Sequence, residues 1–244
     1  MIATLTALLS AHVLADFLFQ PDWMVARKRR PEVLALHAAL VFLSGLALLG
    51  PAAFPELLAL ACIHAGIDLV KLGSGRRDLA AFLLDQGAHV ASVFALAALA
   101  PGLWAASPWA GLPAPVPSVI LHAALWAAGL LAATRAGGFA VGLLMARPAW
   151  RAPTEGLGDG GRIIGLLERG LIYLLLVVGQ QEAIGFLIAA KSILRFGTVA
   201  EDRAASEYVI IGTLASFGWA VAVTFAVIAL EAGLPPLEIP APTP

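Results

Sequence analysis

The sequence predicts an all-α integral membrane protein, a bundle of about eight transmembrane helices. Only 13% of the 244 residues are charged and 60% are hydrophobic, and the mean hydropathy is +0.90. A soluble globular domain has about a quarter of its residues charged. The apolar residues form long runs, and a run of about 20 apolar residues is typical of a helix that crosses a bilayer core about 30 Å thick.

Eight segments carry the predicted helices: 2–20, 32–50, 56–72, 79–100, 118–146, 163–179, 182–197 and 206–231. The first segment has no basic residue ahead of its apolar run, so we expect a retained membrane helix rather than a signal peptide. The stretch 163–197 would be about 50 Å long as one helix, which is too long for one crossing. We therefore expect it to break near Gly179, Gln180 and Gln181.

The predicted organisation has four parts: a four-helix half with the histidines and aspartates (1–100), an external loop rich in proline and tryptophan (101–117), a second helical half (118–231) and a flexible Pro-rich tail (232–244). The first four helices read as two parallel hairpins, 2–50 and 56–100, because one motif occurs in both.

That motif is His-x3-Asp-x20-His. One copy is His12, Asp16 and His37, and the other, 52 residues later at every position, is His64, Asp68 and His89. Residues four apart share a helix face, so each His-Asp pair lies on one face of its helix.

The basic residues predict the orientation. They follow the first, third, fifth and seventh helices, whereas the loop 101–117 carries no charge. By the positive-inside rule, we expect both termini outside, which is the periplasm if this is a multi-pass protein of a bacterial inner (cytoplasmic) membrane. The net charge of −1 gives a nucleic-acid partner no electrostatic support. The single cysteine, Cys62, excludes an intrachain disulfide and is expected to be a small buried residue.

Seven ionisable residues are predicted to share one layer in the cytoplasmic half of the bilayer. Asp85, four residues before His89, adds a carboxylate that the repeat does not contain (Val33 stands in its place). A charged group at mid-membrane costs about 3 kcal/mol on insertion scales, so such a layer needs mutual hydrogen bonds, water or a metal.

A divalent metal is the first interpretation, with zinc ahead of iron or manganese. The candidate ligands are His12, His37, His64, His89, Asp16, Asp68 and Asp85. The three aspartates are also the candidate catalytic groups, as ligands, as partners that orient the histidines, or as a general base. The spacing leaves open whether one or two ions bind, and it leaves a proton or ion relay and a structural polar network as alternatives.

Three cations are candidate binders of an anionic substrate, namely Lys71, Lys191 and Arg195. Lys191 and Arg195 share a helix face, which would let them bind one anion together. The alternative is that they form ion pairs with Glu168 and Glu207. Arg135 is expected to face the bundle interior or a cavity, and His122 is expected to be interfacial or structural.

Several stretches combine into a specific pattern. They are HVLADFLFQPDW, the isolated His37, HAGIDLVK and DQGAH in the first half, and GRIIGLLERGLIYLL, GQQEAIGFLIAAKSILRFG and EYVIIGTLASF in the second. On these motifs the chain resembles, over about residues 5–220, a bacterial membrane family known as domain of unknown function 3307. The resemblance implies a polytopic membrane fold and no particular activity.

The sequence thus favours a metal-dependent hydrolase that acts on a lipid-like or membrane-associated anionic substrate. The alternative is a proton- or cation-coupled transporter that uses the same cluster, which would fit the repeat and the broken helix.

Overall fold

A computed structural model describes residues 1–146, 150, 159–195 and 203–237, without the side chains of 192–195 and 203. All regular elements in this part of the chain are helical, which confirms the predicted fold class. The helices are α1 (Ile2–Phe17), α2 (Asp22–Arg27), α3 (Pro31–Leu49), α4 (Phe54–Ser74), α5 (Leu79–Leu99), α6 (Val116–Leu131), α7 (Gly137–Met145), α8 (Gly160–Val177), α9 (Glu182–Arg195) and α10 (Arg203–Glu231). A 3-10 turn (Pro51–Ala53) precedes α4, and a π-helical turn (Ala132–Ala136) joins α6 to α7.

Five helical segments of the described chain are long and apolar enough to cross a membrane: Pro31–Leu49, Pro51–Ser74, Leu79–Leu99, Val116–Met145 and Ala204–Glu231. Such segments span as helices because every backbone N–H and C=O is bonded within the segment. The predicted count of eight is not established, since α1 has only 16 residues and α9 only 14.

Glycines with a positive φ end α4 and α8. α4 ends at Gly75, which has a φ of 66°. The predicted break after α8 is present: Gly179 has a φ of 74°, and the amides of Gly179 and Gln180 donate to the carbonyls of Leu176 and Leu175. This is the Schellman arrangement, which needs a left-handed residue at that position.

Asp78 starts α5 as its N-cap. One of its carboxylate oxygens accepts a hydrogen bond from the amide of Ala81, at 2.9 Å. The guanidinium of Arg76, which bonds both carboxylate oxygens, holds the pKa of Asp78 below its ordinary value. The cap therefore stays ionised, which suits the positive end of a helix dipole.

The chain divides into two compact units, one with Met1–Leu131 and the described residues from Ala229 onward, the other with Ala132–Ile228. In the first unit α1, α3, α4 and α5 form a closed ring, in which each helix packs against two others, and α6 packs on α1 from outside. In the second unit α8 packs against α7, α9 and the π-helical turn. A core cluster of Ile172, Leu176, Phe217 and Ala220 joins α8 to α10.

Two expectations about single residues are wrong. Cys62 is exposed on α4 rather than buried, because it lies on the side of the helix away from the ring. Arg135 is exposed, so the bundle interior is wrong as its expected surroundings. Among the described side chains of the second unit, the buried guanidinium is that of Arg169.

Candidate metal centre

The ring of four helices encloses all seven ionisable residues of the predicted layer. α1 contributes His12 and Asp16, α3 contributes His37, α4 contributes His64 and Asp68, and α5 contributes Asp85 and His89. Each of them is buried, and none is more than 8% exposed. The four-residue spacing puts the members of each His-Asp pair on one face of their helix, and this face is buried in the ring.

Four ligand-type atoms form a compact set at the centre of this ring, which we call the four-atom set: His37 Nε2, His64 Nε2, Asp16 Oδ1 and Asp68 Oδ2. The two nitrogens are 3.0 Å apart. Asp16 Oδ1 lies 3.3 Å from each of them, and Asp68 Oδ2 lies 3.6 and 3.7 Å from those of His37 and His64. A tetrahedral ion with bonds of 2.0–2.1 Å separates its ligands by roughly 3.3–3.4 Å. The N–N and N–O separations of the four-atom set lie within a few tenths of an ångström of this value, so its nitrogens and oxygens are close enough to hold one ion.

Each aspartate presents one oxygen to the interior and has the other held from outside. Asp16 Oδ2 accepts from Gln86 Nε2 at 3.2 Å, Asp68 Oδ1 from Lys28 Nζ at 2.6 Å, and Asp85 Oδ2 from Lys71 Nζ at 2.6 Å. The inward oxygens have no hydrogen-bond partner among the described residues; they are Asp16 Oδ1, Asp68 Oδ2 and Asp85 Oδ1. Outside donors that fix a carboxylate while leaving one oxygen free are typical of metal sites.

His12 and His89 border the four-atom set on one side. Both nitrogens of both rings are buried without a hydrogen-bond partner. The His89 ring stacks on that of His64 with centroids 3.9 Å apart, and the His12 ring lies 5.3 Å from His89. Buried polar groups without partners cost on the order of 1–3 kcal/mol each, so these rings also favour a bound ligand or water.

Two further groups of three residues have ligand atoms close enough to share an ion. One is His12, Asp16 and His64, and the other is Asp68, Asp85 and His89; in each, the atoms lie within 4.8 Å of one another. The buried ring residues therefore offer more ligand atoms than one four-coordinate ion needs.

A small cavity of about 10 Å³ lies against His12, His64 and His89. Most of its other walls are apolar, including Leu8, Leu57 and Val93. A volume of this size holds about one water molecule.

The charge of the centre is negative without a cation. Three aspartates carry −3 and the two lysines bonded to them carry +2, which leaves −1 with neutral histidines. In a low-dielectric interior such an excess is costly, and a divalent ion reverses its sign. The residues of the centre thus fit a divalent metal in number, donor type and charge.

The candidate substrate binders have different surroundings. Lys71, with 35% of its side chain exposed, is both a donor to Asp85 and accessible from outside. Lys191 bonds Glu168 at 2.7 Å, which agrees with the ion-pair alternative for this residue. The side chain of Arg195 lies outside the described part of the chain. A substrate role for these three residues stays a prediction.

Sequence reasoning did not assign Lys28 and Gln86 to the centre. Lys28 stood in a basic loop that predicted orientation, and Gln86 is one residue after Asp85 and carries no charge. Their spacing from Asp68 and Asp16, 40 and 70 residues, contains no local signal. His122 Nδ1–H donates to the Ser118 carbonyl, 2.8 Å away on its own helix, which agrees with the structural alternative expected for it.

The second unit has its own polar set around the π-helical turn. Arg169, 4% exposed, donates through Nε to the Thr134 carbonyl at 3.1 Å and through Nη1 to Ser216 at 3.0 Å. Trp219 Nε1 donates to the Ala132 carbonyl at 2.9 Å. A π turn displaces carbonyls from the regular α-helical pattern, and these two side chains bond carbonyls within it.

Residues 4–108 match the model of a family described as "Protein of unknown function (DUF3307)". This match confirms the resemblance over the part of the chain that carries the seven ring residues. The second-half motifs lie outside it, so their resemblance stays a prediction. No curated protein and no solved structure matches the chain.

Proposed function

We propose that this protein is a membrane-embedded metal-dependent hydrolase whose substrate is lipid-like or an anionic molecule at the membrane. The observation that carries the proposal is the four-atom set, in which two imidazole nitrogens lie 3.0 Å from each other and 3.3–3.7 Å from two carboxylate oxygens. Zinc suits this donor set best, and iron or manganese are the other candidates.

The neighbouring residues supply what hydrolysis needs. A divalent metal held by three of the four atoms would keep an open position, and it would contribute Lewis-acid activation of water and of the scissile group there. Asp85 Oδ1 lies 3.6 Å from His89 Nε2 without a donor among the described residues, and we assign to it the role of accepting the proton of the attacking water. Lys71 orients Asp85 and is partly exposed, so it can attract an anionic group towards the centre.

The apolar helices and the basic loops support a location for the protein. We propose a bacterial inner membrane, with the centre in the cytoplasmic leaflet and both termini periplasmic. A substrate that resides in the bilayer would then reach the centre without leaving the membrane.

Metal analysis tests the centre directly. We expect full-length protein purified in detergent to hold at least one zinc ion per chain, and a folded His64→Ala variant to lose it. His122→Ala is the matched control, because His122 is an equally buried histidine that bonds only its own helix among the described residues. Folding is checked by helical circular dichroism and elution volume, and His64→Gln serves if His64→Ala does not fold. A folded wild type that binds no zinc, iron or manganese would contradict the centre.

Lipid analysis tests the hydrolase. Cells producing the wild type and cells producing Asp85→Asn at equal abundance are compared by mass spectrometry of extracted lipids and membrane-associated anions. We expect a species that accumulates with Asp85→Asn and a cleavage product that accumulates with the wild type; Asp78→Asn, an exposed aspartate outside the ring, should behave as the wild type. Identical profiles for the wild type and Asp85→Asn would count against hydrolysis.

A transporter is the second candidate, because the cavity beside His12, His64 and His89 holds only about one water molecule. A site of this size suits a proton or a metal cation better than a lipid. In liposomes, the wild type would then move protons or Zn²⁺ down a gradient, and His64→Ala would not. Hydrolysis without such flux favours the first candidate.

A further inference from the structure

Several polar atoms next to the four-atom set remain without partners. Within the described part of the chain, both nitrogens of His89, which is 1% exposed, and Oδ1 of Asp85, which is 6% exposed, have no hydrogen bond. The four-atom set takes its two nitrogens from His37 and His64, so it uses neither nitrogen of the His89 ring. A buried imidazole with two unpaired nitrogens beside an unpaired carboxylate oxygen indicates that a further ligand binds here.

The geometry of these atoms suits a cation. His89 Nε2 lies 3.6 Å from Asp85 Oδ1 and 3.9 Å from Asp68 Oδ1, and all three residues can place ligand atoms within 4.8 Å of one another. Asp68 also contributes its other oxygen, Oδ2, to the four-atom set. One carboxylate therefore lies between two groups of ligand atoms.

We propose that Asp68, Asp85 and His89 form a second divalent-metal site that shares Asp68 with the first. The inference rests on the proposed metal centre, since the shared aspartate belongs to both. The spacings of 3.6 and 3.9 Å are wider than those expected of tetrahedral ligands, so the three ligands must close in by a few tenths of an ångström, and the second site is the weaker one.

Lys28 competes for this site. Its ammonium donates to Asp68 Oδ1 at 2.6 Å, on the oxygen that the second ion needs. The positive charges of the ion and the ammonium repel each other, so binding requires Lys28 to move away. Lys28 follows α2 in a short linker and keeps 11% of its side chain exposed, which gives the ammonium a route to solvent.

The second ion would alter the chemistry as well as the stoichiometry. It would occupy Asp85 Oδ1, the oxygen proposed as proton acceptor. Occupation of the second site would therefore inhibit hydrolysis, and Lys28 would protect the centre from that inhibition at low metal concentration.

Titration of the metal-free, full-length protein with Zn²⁺ in detergent tests this site. We expect two equivalents with separate affinities, and a folded His89→Ala variant that keeps the tight equivalent and loses the weak one. Lys28→Met should tighten the weak equivalent at least about tenfold, because it removes the competing charge. Arg29→Met is the matched control: Arg29 is the next cation along the chain and bonds the Leu72 carbonyl, not a carboxylate. It should leave the weak affinity nearly unchanged.

The outcomes separate this inference from the proposed function. A single equivalent in both the wild type and Lys28→Met would overturn the second site and leave the first intact. Loss of both equivalents in a folded His89→Ala variant would show one shared site and would also overturn it. No bound zinc in any folded variant would contradict the metal centre itself.

Discussion

Each aspartate of the centre divides its two oxygens between different partners. One oxygen accepts from Gln86, Lys28 or Lys71, and the other faces the imidazoles. The outside donor limits the rotation of the carboxylate, so the inward oxygen is already in place before a ligand binds. Preorganisation of this kind lowers the entropic cost of binding.

Gln86 tests the importance of these outside donors, because it touches the centre without offering a metal ligand. Its Nε2 donates to Asp16 Oδ2 and, at 3.3 Å, to Asp85 Oδ2. We predict that Gln86→Leu weakens binding of the tight zinc by about 10- to 100-fold while the stoichiometry stays the same. Competition with a zinc-sensitive dye measures this, and an affinity within about twofold of the wild type would show that Asp16 needs no outside donor.

Ser92→Ala is the matched control for Gln86→Leu. Ser92 lies on the same helix, and its hydroxyl donates to the His89 carbonyl rather than to a carboxylate of the centre. Its removal should leave the zinc affinity close to that of the wild type. An equal loss of zinc affinity in both variants would mean that the removal of any polar side chain from α5 disturbs the metal centre.

Residue spacing could predict part of the centre and not the rest. The four-residue intervals and matched depths indicated that His12, Asp16, His64 and Asp68 share a layer, because a helix fixes which residues share a face. The four-atom set itself could not be predicted, since it depends on how α1, α3 and α4 rotate against one another. The same holds for Lys28, whose partner lies on a different helix.

At the scale of elements, most helix limits follow from local signals. Apolar runs predicted α3 as 32–50 and the structure has Pro31–Leu49, and Gly179 marked the break before α9. The short helix α2 and the π-helical turn were not predicted. The π turn has no local signature, because the donors to its carbonyls, Arg169 and Trp219, come from α8 and α10.

Gly137 directly follows the π turn and leaves room for those donors. A Cβ there would lie 2.6 Å from Trp219 Cδ1 and 2.9 Å from Arg169 Cδ. We predict that Gly137→Ala lowers the free energy of unfolding by about 1–3 kcal/mol, since neither the indole nor the buried arginine can shift without losing its carbonyl partner. Thermal unfolding in detergent, followed by tryptophan fluorescence, measures the change.

Gly142 is the control on the same helix. Nothing lies within 4 Å of a Cβ built at Gly142, so Gly142→Ala should leave the melting temperature unchanged or raise it slightly, with a gain in stability of roughly 1 kcal/mol at most. Equal destabilisation by both substitutions would mean that the close approach of Trp219 and Arg169 is unimportant.

At the scale of the first unit, the two ends of the helix ring differ in charge. Arg29 donates to the Leu72 carbonyl at the end of α4, so the basic loops that follow α2 and α4 lie at one end. The uncharged segment after α5 lies at the other end of the ring. Thr4, at the start of α1, donates to the carbonyl of Pro101, and Trp109 donates to the carbonyl of Ala47, near the end of α3. This asymmetry supports the orientation that the basic residues predict.

Cysteine labelling in cells tests that orientation. In a Cys62→Ala background, Ser74→Cys and Ala106→Cys place single thiols at exposed positions on either side of α5. We predict that a membrane-impermeant maleimide labels Ala106→Cys in spheroplasts with intact inner membranes and labels Ser74→Cys only after permeabilisation, because the basic loops stay inside. The reverse labelling pattern would show that the protein has the opposite orientation, with the metal centre in the outer leaflet. Labelling of both positions from one side would mean that α5 does not cross the bilayer. The four-helix ring would then lie outside the membrane, which would contradict its proposed location.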